Sequence, residues 1–538
     1  MFGLRRGSLE REALLAAAAA ATLSSLLLWL GPPGNDLPAH LYQQALFVKH
    51  GFVLWSNFWY AGRYSFVTYS VLYYPLSALL GIKVLALASV TAASLAFAVV
   101  VGREWGPAAR LSSRSFALLW AGTVLSGAFP FALGFALALF ALWAVQEGHR
   151  GRFAVLGVLA FAASPLAFLL LAVALGGIAL AGRSSGRSLV LPAGVVAGCG
   201  LVEVALYRLF PSGGRYPFAA LQLVPAAAFC GLGALAARRS PRGRPLLGLL
   251  IVYFGACLAA FVIPSGVGSN VERLRYAAVP IALLAVSVAG WRPLRLALPL
   301  LAVAAAWNVP PLVANFSHAA ADPGAAPGYW SPAIRFLHGN LGRDYRVEAV
   351  DTLDHWPAIR LPQAGIPIVR GWYRQDDFPS NSILYGRFGA AAYGDWLRRL
   401  GVRYVVLSDA PPDYSSRGEA ALLRSGRSGL RPVLRTPHLV VLEVPRPRPL
   451  VSGPASARIA WLGQARMLVR VGAPGRYRVA VRYSPYWRAA HGCVARGADG
   501  FLRVTALRAG LVDLAFRVGV DRGVEALTGL GPRRHCSE

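Results

Sequence analysis

Lysine is nearly missing from this chain. Lys49 and Lys83 are the only two, and arginine supplies the rest of the positive charge. Charge as a whole is scarce, at 14% of 538 residues, where a soluble protein carries roughly 25%. The deficit falls almost entirely before residue 317, which excludes an ordinary soluble domain over that stretch. The formal net charge of +30 does not argue for nucleic acid. An arginine- and alanine-heavy, lysine-poor composition is what a GC-rich genome produces, and the arginines gather in short loops between apolar runs, so no nucleic-acid partner is expected. No CxxC or HExxH pattern is present among the five cysteines, and no metal site is expected. Cys199, Cys230 and Cys257 lie in apolar runs and read as small core residues. Cys493 and Cys536 lie in the polar part, where they could pair, although nothing in their spacing compels it. A cleavable signal is missing too: the first apolar run, Ala13–Leu30, has no convincing cleavage site and is long enough to remain an anchor.

What is there is apolar length. Runs of about 20 residues, enough to cross a bilayer, recur at 12–31, 82–101, 115–128, 130–146, 152–163, 165–182, 188–208, 218–237, 245–264, 276–291 and 295–314. The expectation is a polytopic α-helical membrane protein with about 11 spans over residues 1–317, the short pair around Ser164-Pro165 being open to reading as one broken helix. Arginine placement orients it. Arg5, Arg6 and Arg11 put the N-terminus inside. Arg103, Arg110 and Arg114 then fall on the same side, as do Arg150 and Arg152, Arg183 and Arg187, the cluster from Arg238 to Arg244, and Arg292 and Arg295. The long loop 32–81, the loops 209–217 and 265–275, and everything after residue 317 are thereby expected outside, on a bacterial cytoplasmic membrane.

The loop 32–81 opens with Gly34-Asn35-Asp36-Leu37-Pro38-Ala39-His40. Asp-Leu-Pro reads as a helix start, with proline tolerated in the first turn, and the helix is expected to run to about His50. Asp36 could simply cap it, but Asn35 can do that and leave Asp36 free. His40 lies one helical turn on, so the two side chains are expected on one face. There a carboxylate could take the proton of an acceptor hydroxyl. The rest of the loop is aromatic, including Trp55, Trp59, Tyr60 and Tyr64, with Arg63 among them. These residues are read first as anchors at headgroup depth, with Trp59, Tyr60 and Arg63 as candidates for a substrate pocket.

Two further points carry charge at the membrane. The loop Gly266–Arg275 holds Asn270, Glu272, Arg273 and Arg275. Arginine forks suit phosphate oxygens, so the segment is a candidate phosphate site, with border snorkelling as the alternative and Glu272 able to neutralise one arginine. Glu203 lies inside an apolar span. A carboxylate there costs roughly 2.5–3.5 kcal/mol on insertion scales, so it is expected to face a cavity or a partner such as Arg208.

After His318 the composition is that of soluble domains. Arg403–Ser408 and Leu439–Val444 read as strands and Ala391–Leu400 as a helix ending at Gly401, which suggests an α/β domain over 318–447. Val444-Pro445-Arg446-Pro447-Arg448-Pro449 reads as a stiff linker. Over 448–538, Met467–Val471, Tyr477–Tyr483, Phe501–Ala506 and Val512–Val518 alternate with Gly and Pro turns as in a β-sandwich. Asp351, Asp354, His355, Asp376 and Asp377 are given no role.

One span, an outer loop opening with an acidic residue, many further spans and a C-terminal outer domain resemble the plan of GT-C type glycosyltransferases. Asp36–His40, Leu54–Arg63, Phe129–Gly134, Ser164–Ala167 and Gly371–Gln375 are most similar to bacterial membrane proteins described as 6-pyruvoyl-tetrahydropterin synthase-related. The resemblance implies transfer of a sugar from a polyprenyl-phosphate donor to an envelope glycan or glycolipid, with Asp36 as general base. Arg273, Arg275, Glu272 and Asn270 would then lie at the donor phosphate, and His40 and Glu203 would assist. Asp36 is the only acidic residue between Gly31 and Gly81, which departs from the paired carboxylates of metal-dependent members. A flippase of lipid-linked saccharides and a non-catalytic envelope scaffold are the rival readings; no internal repeat favours the former.

Overall fold

A computed structural model of the chain describes residues 6–182, 186–211, 214–530 and 534–537. Arg5 and Arg183, counted above among the basic loops, lie outside the described residues. The chain separates into two compact units. One contains residues 1–37, 69–204 and 215–320; the other contains 38–68, 205–214 and 321–538.

The first unit is helical. Each of the eleven apolar segments contains a helix: Arg6–Leu30, Ile82–Trp105, Arg110–Ala121, Phe129–Gln146, Arg150–Ala163, Pro165–Leu180, Gly186–Leu209, Ala220–Ala237, Arg244–Val262, Ala278–Val288 and Leu294–Ala321. Seven stretches among the described residues are long and apolar enough to cross a membrane. Helices are the natural outcome because a chain in hydrocarbon must satisfy its backbone hydrogen bonds within each segment. Ser164 separates two of the shorter helices: its extended backbone ends the first, and its hydroxyl accepts the amide of Ala167 at the start of the next. Between Arg244–Val262 and Ala278–Val288 the chain forms a ten-residue 3-10 helix, Gly268–Ala277, longer than the three or four residues usual for that form.

The second unit carries three sheets. In the first, Arg346–Ala349 pairs parallel with Val402–Ser408, and Leu439–Glu443 and Arg431–Arg435 extend the sheet antiparallel. Helix Ala390–Leu400 leads into the central strand through Gly401, whose φ of +77° closes the helix. The other two sheets make a sandwich. One runs in the order Arg534–Ser537, Gly492–Arg496, Phe501–Ala506, Gly475–Arg482, Val451–Ser452. The other runs Trp487–Ala489, Gly510–Phe516, Arg466–Val471, Ala457–Leu462. Tyr477, Val479, Leu502, Val504, Met467 and Leu514 fill the space between them, the alternation a half-buried strand requires. Where the sequence suggested a boundary at 447, the sheet changes but the compact unit does not. Arg346, fully buried, donates to the carbonyls of Leu400 and Ala480, and Leu450 N–H donates to Asp344.

Residues 38–68 of the aromatic loop, with Trp55, Trp59, Tyr60 and Tyr64, belong to this second unit, which corrects the reading of those rings as headgroup anchors. Trp55 stacks on Phe516 at 5.1 Å and meets Trp487 edge-on at 5.8 Å. Phe210 from the short segment 205–214 enters the same core beside Tyr64 and Tyr486, at 5.5 Å from each. These rings bury large apolar areas, and they do so against sheet residues.

Cys493 and Cys536 sit opposite each other on neighbouring strands and are joined by a disulfide. Cys199, Cys230 and Cys257 are buried free thiols. Alkylation of the denatured chain should therefore label three cysteines before reduction and five after it, read by intact mass; five labelled without reductant would refute the pairing.

Candidate functional site

Main-chain hydrogen bonds hold the turn that carries Asp36. Asn35 N–H donates to Leu125 C=O and Asp36 N–H to Ser126 C=O, both at 3.1 Å, while Leu37 N–H closes the turn on Gly34 C=O at 2.9 Å. The turn thus docks onto the 3-10 segment Gly122–Leu125 and the residues after it. Two glycines permit the approach. A Cβ on Gly34 would lie 2.5 Å from Val124 C=O, and one on Gly127, whose φ is +71°, would lie 2.8 Å from Asp36 N. Both chains meeting Asp36 are therefore fixed, and its side chain stays half-exposed.

Two residues beyond Gly127 the helix Phe129–Gln146 begins. The guanidinium of Arg273 lies over the ring of Phe131, 5.2 Å from its centroid, and that ring is buried against Trp120 and Phe135. The Asp36 turn therefore docks just before this helix, and Arg273 lies over a ring in its first turn. The arginine segment is itself anchored. Ser269 N–H donates to Pro217 C=O, and the Tyr253 hydroxyl donates to Val271 C=O at 3.1 Å. Gly268, at φ +43°, leaves no room for a Cβ beside the Tyr216 carbonyl. Asn270 is half-buried, its amide donating to Val267 C=O. Arg275 is half-buried with its Nε unpartnered, its guanidinium 5.5 Å from the Tyr276 ring.

Glu272 is 4% exposed and its Oε1 has no hydrogen-bond partner. Burial pushes its carboxyl up to about 7, with Arg275 pulling the other way. A group in this state is neutral part of the time at physiological pH and can hold or release a proton there.

Below the arginines lies apolar space. A cavity of about 1100 Å³ is lined by Leu274, Ala277, Ile281 and Leu284, and by Phe135 and Leu170 from neighbouring helices. Leu274 stands between Arg273 and Arg275 in sequence, so the cavity reaches the cationic segment. Arg103, Glu147 and Arg242 also line it, and Arg103 pairs with Glu147 at 3.0 Å.

Four other sequence candidates are buried in the second unit. His40 is buried, not outward-facing, with its ring 6.1 Å from that of Trp372. Trp59 donates its indole N–H to Ala358 C=O at 2.7 Å, and the Tyr60 hydroxyl donates to Tyr373 C=O at 2.9 Å. Arg63 pairs with Asp376 at 2.7 Å and lies 3.8 Å over the Tyr373 ring. All three are 5% exposed or less, and their polar contacts fasten the loop to the segment 358–376. Glu203 is the opposite correction. Its side chain is exposed on its helix and, among the described residues, makes no ion pair with Arg208 or any other group. A helix phase that turns it outward leaves it facing what surrounds the bundle.

Sequence reading missed a buried charge network around the parallel strand pair. Arg370 grips Asp377 with two nitrogens, at 3.2 and 2.6 Å, and reaches the Ser415 hydroxyl at 2.7 Å. Arg374 pairs with Asp413 at 2.5 Å. His355 Nδ1 lies 2.7 Å from Asp351, which raises the imidazole's pKa against the opposing effect of burial. Glu419 is pushed up to about 7 by burial, and burial also raises the carboxyl of Glu348 well above the usual carboxylate range. Its members span residues 348 to 419, a separation that hides it from motif reading. Asp351, His355 and Asp377, given no role above, and Gly371–Gln375 were its visible pieces. Among the described residues no group of three or more His, Cys, Asp or Glu is placed to hold a metal.

No family model matches the chain, and no curated protein matches it. Among solved structures it is similar to the arabinofuranosyltransferase AftD from Mycobacteria, with 18% identity and a TM-score of 0.47. The match covers 81% of this chain and 40% of that one. The chain thus spans well under half the length of that neighbour.

Two outcomes are expected. Glu272 has a folded pKa above its ordinary 4.5. The folded state therefore holds more protons than the unfolded one between about 4.5 and 7, and stability falls as pH rises through that window and levels off above it. Glu272→Gln should flatten that slope in thermal midpoints of the detergent-solubilised chain; an unchanged slope would show that Glu272 is not the titrating group. Gly127→Val should displace the Asp36 turn and destabilise the bundle by about 2 kcal/mol or more, through both positive φ and overlap; wild-type midpoints would refute the clamp.

Proposed function

We propose that the chain is a membrane glycosyltransferase that takes sugar from a lipid-linked phosphate donor. The observation that carries this reading is the combination of three features in the helical unit. A half-exposed carboxylate at Asp36 is held just before the helix Phe129–Gln146, the cation of Arg273 lies over Phe131 in the first turn of that helix, and an apolar cavity reaches the arginine segment at Leu274. A lipid phosphate needs this combination: a slot for its tail, positive charge for its head, and a base near the sugar.

In this reading the acceptor hydroxyl attacks the anomeric carbon while Asp36 takes its proton. The bond from the anomeric carbon to the phosphate oxygen breaks, and its electrons leave with the lipid phosphate. Direct displacement inverts the anomeric centre. The leaving phosphate gains negative charge, which Arg273 and Arg275 stabilise electrostatically. Glu272, held near neutrality, adds little repulsion to that anion. His40, Trp59, Tyr60 and Arg63 support the loop instead of touching substrate, and Glu203 has no part. The arginine-rich loops favour an orientation with the N-terminus in the cytoplasm of a bacterial inner membrane. The acceptor is then an envelope glycan or glycolipid on the opposite side.

Asp36→Asn should lower transfer from a polyprenyl-phosphate sugar in proteoliposomes by at least about 100-fold, with donor-lipid binding retained. Arg273→Ala, Arg275→Ala should instead lose donor binding. Full transfer by Asp36→Asn at normal expression would remove the base assignment.

A further inference from the structure

The five-stranded sheet of the sandwich has one apolar face and one face studded with arginine. Along Gly475–Arg482, Tyr477 and Val479 enter the core while Arg476 and Arg478 point the other way. Register places Arg478 opposite Ser452 on one side and Arg503 on the other. Arg503 in turn is opposite Ala495, and Ala495 is opposite Arg534. One row across five strands thus holds three arginines. Arg478 and Arg503 are direct cross-strand partners, an arrangement of like charge that is destabilising without a counter-ion.

The same face bears a cavity of about 690 Å³ lined by Arg448, Arg476, Arg478, Arg496, Arg503 and Arg534, a volume typical of small-molecule sites. Among the described residues one carboxylate pairs with this group. Asp499 lies 2.7 Å from Arg478 Nε and 3.7 Å from Arg503. Arg476, Arg496 and Arg534 have no carboxylate partner among the described residues. Arg478 is the decisive side chain. It is 5% exposed and held by Asp499 and by the carbonyl of Arg399, yet its Nη1 has no hydrogen-bond partner. The guanidinium is thus immobilised at the cavity wall with its Nη1 enclosed by protein, so it gives the cavity a fixed positive charge, while the more exposed Arg476, Arg496, Arg503 and Arg534 supply donors a ligand can reach.

We infer that this face of the sandwich is a binding site for a ligand carrying two or more phosphate groups. The backbones of Arg478 and Arg534 are three strand spacings apart, about 14 Å, with Arg503 between them, so the row offers forks to more than one phosphate. Successive phosphates on one ligand match the spacing, each taking an arginine fork. The site lies wholly within the second unit and does not depend on the transferase reading. The phosphates can belong to a soluble or glycan-linked polyphosphorylated molecule or to clustered anionic lipid headgroups.

The test uses the full chain in neutral detergent and isothermal titration with inorganic phosphate and tripolyphosphate at matched ionic strength. Tripolyphosphate should bind at least about tenfold more tightly than phosphate. The pair Arg503→Gln, Arg534→Gln, at the open side of the cavity, should lose about tenfold of that affinity, which is the removal of one or two charged hydrogen bonds. The control pair Arg427→Gln, Arg435→Gln carries the same charge change on exposed residues away from the cavity and should stay within about twofold. Equal losses in both pairs would reduce the effect to the net charge of the chain and overturn the site, as would no preference for tripolyphosphate. Repeating the titration in nanodiscs with and without phosphatidylglycerol identifies the source. Competition by that lipid assigns the site to headgroups, and unchanged affinity assigns it to a soluble or glycan-linked phosphate.

Discussion

The candidate site depends on a backbone-to-backbone clamp. The turn Gly34–Leu37 hydrogen-bonds through its main chain to the segment ending at Gly127, and the two glycines leave no space between the strands of chain. Main-chain clamps hold geometry without long side chains to order, so they lose little rotamer entropy. The half-exposed carboxylate of Asp36 is thereby fixed at the start of the helix whose Phe131 lies under Arg273. A base works through geometry before it works through pKa, and here the geometry is set by residues that have no chemistry of their own.

The second unit is held by different means. Its loop segment contributes buried aromatic rings, and a network of buried ions fixes the chain from residue 348 to 419. Burial of that many charges is costly unless each is paired. Arg370 meets this condition with a bidentate carboxylate and serine hydroxyls, and Glu348 and Glu419 meet it by shifting toward the neutral form. The arginine face of the sandwich differs: its buried Arg478 is paired with Asp499, and among the described residues that is the one carboxylate paired with the six arginines lining its cavity, most of which are exposed.

The helical framework was legible because the length of an apolar run reports a span directly. All eleven segments became helices, and the strands at Arg403–Ser408, Met467–Val471 and Phe501–Ala506 fell where alternation put them. Asp36 and Arg273 were legible as residue types at a boundary. Their settings were not, because Asp36 is held through Gly127 and Arg273 lies on Phe131, over 90 residues from one and over 140 from the other. The aromatic loop misled for a physical reason: tryptophan and tyrosine suit a headgroup interface and a protein core equally well, and composition does not tell them apart. Glu203 misled because an apolar sequence gives a helix without giving its rotational phase. Glu272 read as a counter-charge for arginine, since its burial comes from the fold of a ten-residue 3-10 segment that no local pattern announces.

The most direct measurement of the central claim is a cryo-EM density map of the chain bound to a non-hydrolysable polyprenyl-phosphate sugar analogue. The account predicts the prenyl tail in the cavity beside Leu274 and Ile281, the phosphate within hydrogen-bond distance of Arg273 or Arg275, and the sugar's anomeric carbon facing the Asp36 carboxylate. A phosphate seated at the Arg103–Glu147 end of that cavity, or an anomeric carbon beyond the reach of Asp36 and one intervening acceptor oxygen, would contradict it.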